Sequence, residues 1–166
     1  GSARYLGATE LACRAAYRAG AGLVTLAAEA RFTNSWPEII FEPLNWNDRL
    51  LESLQKIPDN RAQVRVIGPG LGDEAQLFLP DLIRRGNAPT ILDAGALASG
   101  TIWKDAVREH GCCVLTPHYG EAARLLRVTS AEIAQEPLKA ALELTETFNA
   151  VVVLKGATSI ITSPDG

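Results

Sequence analysis

The apolar run Cys112-Cys113-Val114-Leu115 stops at Thr116-Pro117, and His118 follows directly, ahead of Gly120-Glu121 and a second apolar pattern ending at Leu126. A proline cannot donate to a strand ladder, and its ring pushes the preceding residue away from helical angles, so the run reads as a buried strand that ends at Pro117. Glu121 to Leu126 reads as the start of a helix with a carboxylate at its positive end. His118 thus stands between a strand end and a helix start, where open α/β sheets bind ligands. Either it faces a ligand or it is a satisfied histidine held in a turn.

Three further strand ends carry residues suited to chemistry: Gly68-Pro69-Gly70-Leu71-Gly72, Asp93-Ala94-Gly95 and Lys155-Gly156. The first matches neither the Walker A spacing nor Gly-x-Gly-x-x-Gly. Its glycines serve a tight turn, or they let a flat or phosphorylated ligand approach the backbone. Asp93 suits a ligand hydroxyl, a magnesium ion or a helix cap. Lys155 follows four apolar residues and can lean over a phosphate or reach into solvent, and Thr158 and Ser159 beside it can donate to phosphate oxygens or satisfy a turn. His110 lies in the last turn of a predicted helix, where a partly charged ring suits the dipole. If the strands are parallel, the four ends gather along one edge of a sheet.

The elements that must position these residues alternate. Residues 7–20 predict a helix capped by Thr9 and closed by Gly20 in a left-handed conformation, and residues 22–29 a strand. Residues 37–44, between prolines, suit an edge strand, and 47–57 a helix. A strand leads into Gly68, and residues 74–86 are helical, with Pro80 starting a new turn or kinking the helix. Residues 89–97 give a strand and turn, and 101–111 a helix closed by Gly111. Residues 130–137 give a helix capped by Ser130 and stopped at Pro137, and 138–149 a further helix. Residues 150–166 give two strands around a glycine turn, closer to a hairpin than to a crossover. The alternation predicts an α/β fold with a mostly parallel sheet covered by helices on both faces.

The chain has 166 residues, 47% hydrophobic and 21% charged, which suits one globular domain. Lys and Arg number 16 against 19 Asp and Glu, a net charge of −3 without any basic block, which argues against nucleic acid as a partner. No apolar stretch approaches the roughly 20 residues that span a bilayer, so the reading is a cytoplasmic protein with no membrane partner. The three cysteines are an odd count, and Cys112 and Cys113 face opposite ways on one strand, so they read as small buried hydrophobes and no metal site is assigned. The chain has no methionine and stops at Gly166 after a predicted strand and turn, which raises the expectation of a fragment.

Taken in order, the stretches around Gly1-Ser2 and Tyr5–Ala27, then Val66–Gly72, Thr90–Leu97, Val114–Leu126 and Val151–Gly166, resemble the ADP/ATP-dependent NAD(P)H-hydrate dehydratases, whose domain is ribokinase-like. The resemblance implies a single ribokinase-like domain over residues 1–166, lacking its first strand and its carboxyl-terminal Gly-Asp segment. It implies repair of hydrated NADH or NADPH, in which ATP or ADP phosphorylates the hydroxyl on the nicotinamide ring and phosphate then leaves. It places Ala8, Gly68, Gly70, Gly72 and His118 on the hydrated nucleotide, and Lys155, Gly156, Ala157, Thr158 and Ser159 on the adenine nucleotide. Magnesium and a homo-oligomer are further implications. Gly95 stands where the family has a second Asp, and Tyr119 where it has Pro. The family's catalytic Asp falls beyond Gly166, so no residue is assigned as the base, and the 166 residues alone are expected to be inactive. Two rival readings are a small-molecule kinase of the same fold and a non-catalytic, truncated nucleotide-binding domain.

Overall fold

The computed structural model describes residues 1–30, 37–45, 52, 62–98 and 102–166. The helix expected over 47–57 therefore lies outside the described residues, apart from Glu52. The chain divides into two compact units, Gly1–Pro58 with Pro69–Ala75, and Asp59–Gly68 with Gln76–Gly166.

In the first unit a short 3-10 turn, Ala3–Tyr5, leads into helix α1, Leu6–Arg18, and strand β1, Val24–Ala28, pairs in parallel with β2, Ile39–Pro43. Cys13 of the helix is buried with Leu26, Ala28 and Ile39 of the strands, and Tyr17, Val24 and Phe41 close around them. The Tyr17 hydroxyl donates to the Glu38 carbonyl at 2.6 Å. Gly20 ends the helix at φ +102°, as its sequence position predicts. Thr9 does not cap it. The helix begins three residues earlier, because the 3-10 turn already sets its first carbonyls, and the Thr9 hydroxyl instead meets the carbonyls of Tyr5 at 3.5 Å and Pro69 at 3.4 Å.

In the second unit five strands lie in chain order, β3 (Arg65–Ile67), β4 (Thr90–Leu92), β5 (Cys113–Leu115), β6 (Val151–Leu154) and β7 (Ile160–Thr162). The first four are parallel, and β7 turns back antiparallel on β6, the expected hairpin. Between them run α2 (Leu79–Arg84), α3 (Lys104–His110), α4 (Tyr119–Leu126), α5 (Ser130–Gln135) and α6 (Pro137–Phe148). Leu92, Leu115, Val152 and Leu154 are fully buried on one face of the sheet. Their neighbours along each strand point the other way, as the two-residue period requires.

Helix α6 packs on β6 and β7 and buries Ala140, Ala141, Leu144, Thr145 and Phe148, a helical stripe. Phe148 stacks on Trp103 with ring centroids 4.9 Å apart, and both are fully buried. Burying side chains of this size contributes about 1.5–3 kcal/mol each. Thr162 donates to the Ala141 carbonyl at 3.1 Å, so in its 2.6 Å contact with Thr145 the proton comes from Thr145.

Pro80 falls in the first turn of α2, after the 3-10 segment Asp73–Phe78, where its missing N–H costs nothing. Gly111 closes α3 at φ +70°. The cap of α5 is Thr129 and not Ser130: its hydroxyl accepts from Glu132 N at 3.2 Å while the Glu132 carboxylate accepts from Thr129 N at 2.8 Å. Pro137 stops one helix by opening the next. Among the described residues no helix is long and apolar enough to cross a membrane.

Candidate functional site

Because β3 to β6 are parallel, their carboxyl ends fall on one edge of the five-stranded sheet. Gly68, Asp93, Thr116–His118 and Lys155 stand there, each one to three residues past its strand. Gly68 is buried at φ +128°, and a Cβ on it would lie 1.7 Å from the Asp93 carbonyl oxygen. Only glycine fits that approach. Asp93 N donates to the Ile67 carbonyl at 3.1 Å, and Ala94 takes φ +47°, so the turn after β4 lies pressed on the end of β3.

Asp93 is the hub of the edge. Its Oδ1 accepts from Lys155 Nζ at 2.6 Å and from Thr116 Oγ1 at 2.7 Å. Burial is the largest influence on this carboxyl and pushes its pKa up; hydrogen bonds from Lys155 and Thr116, with the nearby ammonium charge, outweigh it and hold the group below the usual aspartate value. Asp93 occupies the N-cap position of the 3-10 turn Ala94–Leu97 without a side-chain capping bond. The capping role expected of it is thus not met.

His118 caps α4. Its Nδ1 accepts from Gly120 N at 2.9 Å and Glu121 N at 3.3 Å, and Glu121 Oε2 returns the bond by accepting from His118 N at 2.9 Å. An Nδ1 that accepts fixes the proton of the neutral ring on Nε2. Nε2 lies 3.5 Å from the other oxygen of the buried Glu121, and the ring is 56% exposed, so Nε2–H remains within reach of a ligand. Of the two sequence alternatives, the turn is observed at Nδ1, and Nε2 is the nitrogen that remains for a ligand.

Lys155 is joined to the same turn, its N–H donating to the Pro117 carbonyl at 2.7 Å in a parallel bridge with His118. Gly156, Ala157, Thr158 and Ser159 beyond it are exposed. A Cβ on Gly156 would come within 2.7 Å of the Tyr119 hydroxyl and 2.8 Å of its ring, so the residue after His118 packs on the residue after Lys155. This contact and the role of Thr116 are absent from the sequence expectations. Thr116 lies two residues before His118, but a threonine before a proline does not reveal where its hydroxyl points.

Ala8, Gly70 and Gly72 belong to the first unit. Ala8 is exposed near the start of α1. Gly70 is buried at φ +69°, with its carbonyl accepting from Ser2 N at 2.6 Å; a Cβ there would lie 2.3 Å from Thr9 Oγ1 and 2.7 Å from the Tyr5 carbonyl. The atoms nearest to a Cβ on Gly72 would be those of the Glu74 carboxylate, the far end of a long side chain.

His110 departs from expectation. Its Nε2 lies 3.1 Å from Arg65 Nη2, and burial first, then the Arg65 charge, lower its pKa, so the ring is held neutral instead of charged toward the helix dipole. Arg65 also donates to the carbonyls of Leu82, Ile83 and Arg85 at the end of α2. Of the pair, Cys113 is buried as read, which raises its thiol pKa to about 11, whereas Cys112, facing the other way just before the strand, is exposed and is not the buried hydrophobe expected. Among the described residues no three His, Cys, Asp or Glu side chains come together as a metal site would require.

A mostly parallel sheet with crossover helices is an α/β fold, and its likeness to solved structures is ribokinase-like. A ribokinase-like superfamily protein from Enterococcus faecalis V583 superposes with a TM-score of 0.73 at 22% identity, over 99% of this chain and 58% of that one. The ADP/ATP-dependent NAD(P)H-hydrate dehydratase of Bacillus subtilis, co-crystallized with ATP/Mg2+, superposes with a TM-score of 0.75 at 27% identity, over 100% of this chain and 59% of that one. In sequence, the bifunctional NAD(P)H-hydrate repair enzyme Nnr of Moorella thermoacetica is 39% identical over 183 aligned positions, which take in 100% of this chain and 34% of that protein. The chain thus spans about a third of that curated relative. The family model for NAD(P)H-hydrate dehydratase matches residues 1–166. The chain belongs to the NAD(P)H-hydrate dehydratase family.

Proposed function

We propose that the protein carrying this chain is an ADP- or ATP-dependent NAD(P)H-hydrate dehydratase, returning hydrated NADH or NADPH to the working cofactor. The observation that carries the reading is the sheet edge itself, where a half-exposed histidine and a lysine share one parallel bridge in a chain of this family. In this reading Lys155, with Gly156, Ala157, Thr158 and Ser159, holds the adenine nucleotide, and His118 and Gly68 meet the hydrate. For the first unit it proposes Ala8, Gly70 and Gly72 as hydrate-binding residues.

The residues fit the groups they are asked to hold. An ammonium, two exposed hydroxyls and an exposed glycine backbone form a donor set suited to phosphate oxygens. His118 can donate from Nε2 to an amide or hydroxyl oxygen of the hydrate while its Nδ1 stays committed to the helix. Magnesium keeps waters and phosphate oxygens as most of its ligands, so it would arrive with the nucleotide and needs no dedicated cluster of carboxylates.

When bound, the nucleotide supplies a phosphoryl group that turns the ring hydroxyl, a poor leaving group, into a good one. What this chain contributes is placement: Lys155 beside the phosphates and His118 beside the hydrate, on one strand edge. The same reading takes residues 1–166 as belonging to one ribokinase-like domain, acting in the cytoplasm as a homo-oligomer and without nucleic-acid or membrane partners.

The test is the return of the NADH absorbance band when the whole protein meets hydrated NADH with ATP or ADP. Recovery that depends on nucleotide, and that Lys155→Ala slows by raising the nucleotide KM, is the expected outcome. Accumulation of a phosphorylated product without recovery of NADH would instead identify a kinase and overturn the assignment.

A further inference from the structure

We propose that Asp93 is a positioning residue, which with Thr116 holds the Lys155 ammonium in place at the sheet edge to meet a phosphate of the adenine nucleotide. The proposal rests on the reading that Lys155 faces such a phosphate.

Lys155 starts at the end of β6 and Asp93 at the end of β4, with β5 between them, yet Nζ reaches Oδ1 at 2.6 Å. A lysine carries four methylenes and, left alone at a strand end, samples many rotamers; one held ahead of binding does not lose that freedom when the ligand arrives. Thr116, at the end of the intervening strand, fills the gap. Its hydroxyl has one proton, and of its two nearby acceptors the Asp93 carboxylate at 2.7 Å is closer and more basic than the Leu92 carbonyl at 3.3 Å. The carboxylate is therefore fixed from the side opposite the turn that Gly68 supports.

A second physical effect opposes this. Asp93 carries a negative charge beside the place proposed for a phosphate and partly cancels the attraction of Lys155. Two facts decide between them. An ammonium has three protons and Asp93 takes one, which leaves two for phosphate oxygens. The side chains of Lys155 and Asp93 are 42% and 30% exposed, so water screens the repulsion more than it weakens a direct hydrogen bond.

The experiment uses the whole protein with Asp93→Asn, Thr116→Val and Lys155→Ala. Nitrogen-15 spectra of the lysine side chains give a direct readout: the ammonium resonance that Lys155→Ala removes should be exchange-protected in the parent and lose that protection in Asp93→Asn. Calorimetry with ADP and with adenosine gives the second. Asp93→Asn should weaken ADP about tenfold, as expected for a lost charge-assisted contact, and leave adenosine within about twofold. Thr116→Val should lie between the two, at about threefold for ADP. If Asp93→Asn binds ADP as well as the parent or better, or keeps the protected ammonium, Asp93 is not the positioning group. Should Asp93→Asn fail to fold, the same two readouts on Thr116→Val decide, and an unchanged spectrum with unchanged ADP binding overturns the proposal. A parent that binds ADP no better than adenosine removes the phosphate reading and this proposal with it. That outcome is distinct from a parent and an Asp93→Asn variant that prefer ADP equally, which removes the role of Asp93 alone.

Discussion

Replacing His118 once by alanine and once by asparagine separates the two tasks its ring performs. Nδ1 accepts two backbone N–H groups, Gly120 at 2.9 Å and Glu121 at 3.3 Å, so His118→Ala leaves the first turn of α4 without its side-chain acceptor. Loss of an N-cap acceptor costs about 1 kcal/mol, within a range of about 0.5–2. With a urea m-value of about 2 kcal/mol/M, this moves the unfolding midpoint down by roughly 0.5 M. Asparagine is among the best N-cap residues, and the reciprocal bond from His118 N to Glu121 Oε2 uses only backbone at position 118, so His118→Asn should unfold close to the parent. Both variants lose Nε2–H. If that group donates to the hydrate, each should bind hydrated NADH about five- to tenfold more weakly, the worth of one hydrogen bond. Urea titration followed by circular dichroism gives the first quantity, and calorimetry the second. An asparagine variant that binds the hydrate like the parent would make His118 a helix cap and nothing more, and equal destabilisation of both variants would refute the capping argument.

Gly68→Ala should cost about 3 kcal/mol or more in urea unfolding, because its φ of +128° and the Asp93 carbonyl at 1.7 Å both exclude a Cβ. Gly72→Ala, whose Cβ meets first the movable end of the Glu74 side chain, should stay within about 1 kcal/mol, and similar losses at the two glycines would contradict the geometry. His110 has a lowered pKa, so its contribution to stability is complete above the ordinary histidine value of 6.5 and is lost as pH falls through the lower folded value. His110→Gln, which removes the titrating ring, should therefore flatten the acid limb of the urea midpoint plotted against pH, and an acid limb like the parent's would show that His110 does not set it.

Element ends are legible where a residue stops a ladder or tolerates special angles: Gly68 at positive φ after β3, Pro117 without an N–H after β5, and Gly111 closing α3 in the left-handed region. Helix starts are less so. Ser130 was the expected cap and Thr129 is the observed one, although Thr129 and Glu132 carry the Thr-x-x-Glu spacing of a capping box, a signal that was there to read. His118 and Glu121 have the same spacing with an unusual acceptor, so the capping role of the ring was foreseen only as a general turn. Expecting His110 to be charged went wrong for a different reason. The dipole of its own helix acts locally and can be read from the sequence, whereas Arg65, 45 residues away, meets it only after β3 has taken its place beside β4.

The same distinction explains why the sequence exposes the members of the site and not their wiring. Lys155 and Asp93 are 62 residues apart, and their contact depends on the parallel register that sets β4, β5 and β6 side by side with Thr116 between the two ends. Strand periodicity says which residues reach the edge; it does not say which of several polar groups there will share an oxygen. At this edge the sharing is what gives each residue its character. Gly68 admits the Asp93 turn, Thr116 and Lys155 converge on a single oxygen of Asp93, and Lys155 in turn anchors its backbone on Pro117 beside His118. A change at any one of them is therefore transmitted to the others through contacts of known length, so substitutions at these positions are expected to couple in double-mutant cycles, while the exposed Thr158 and Ser159 should act nearly additively with them.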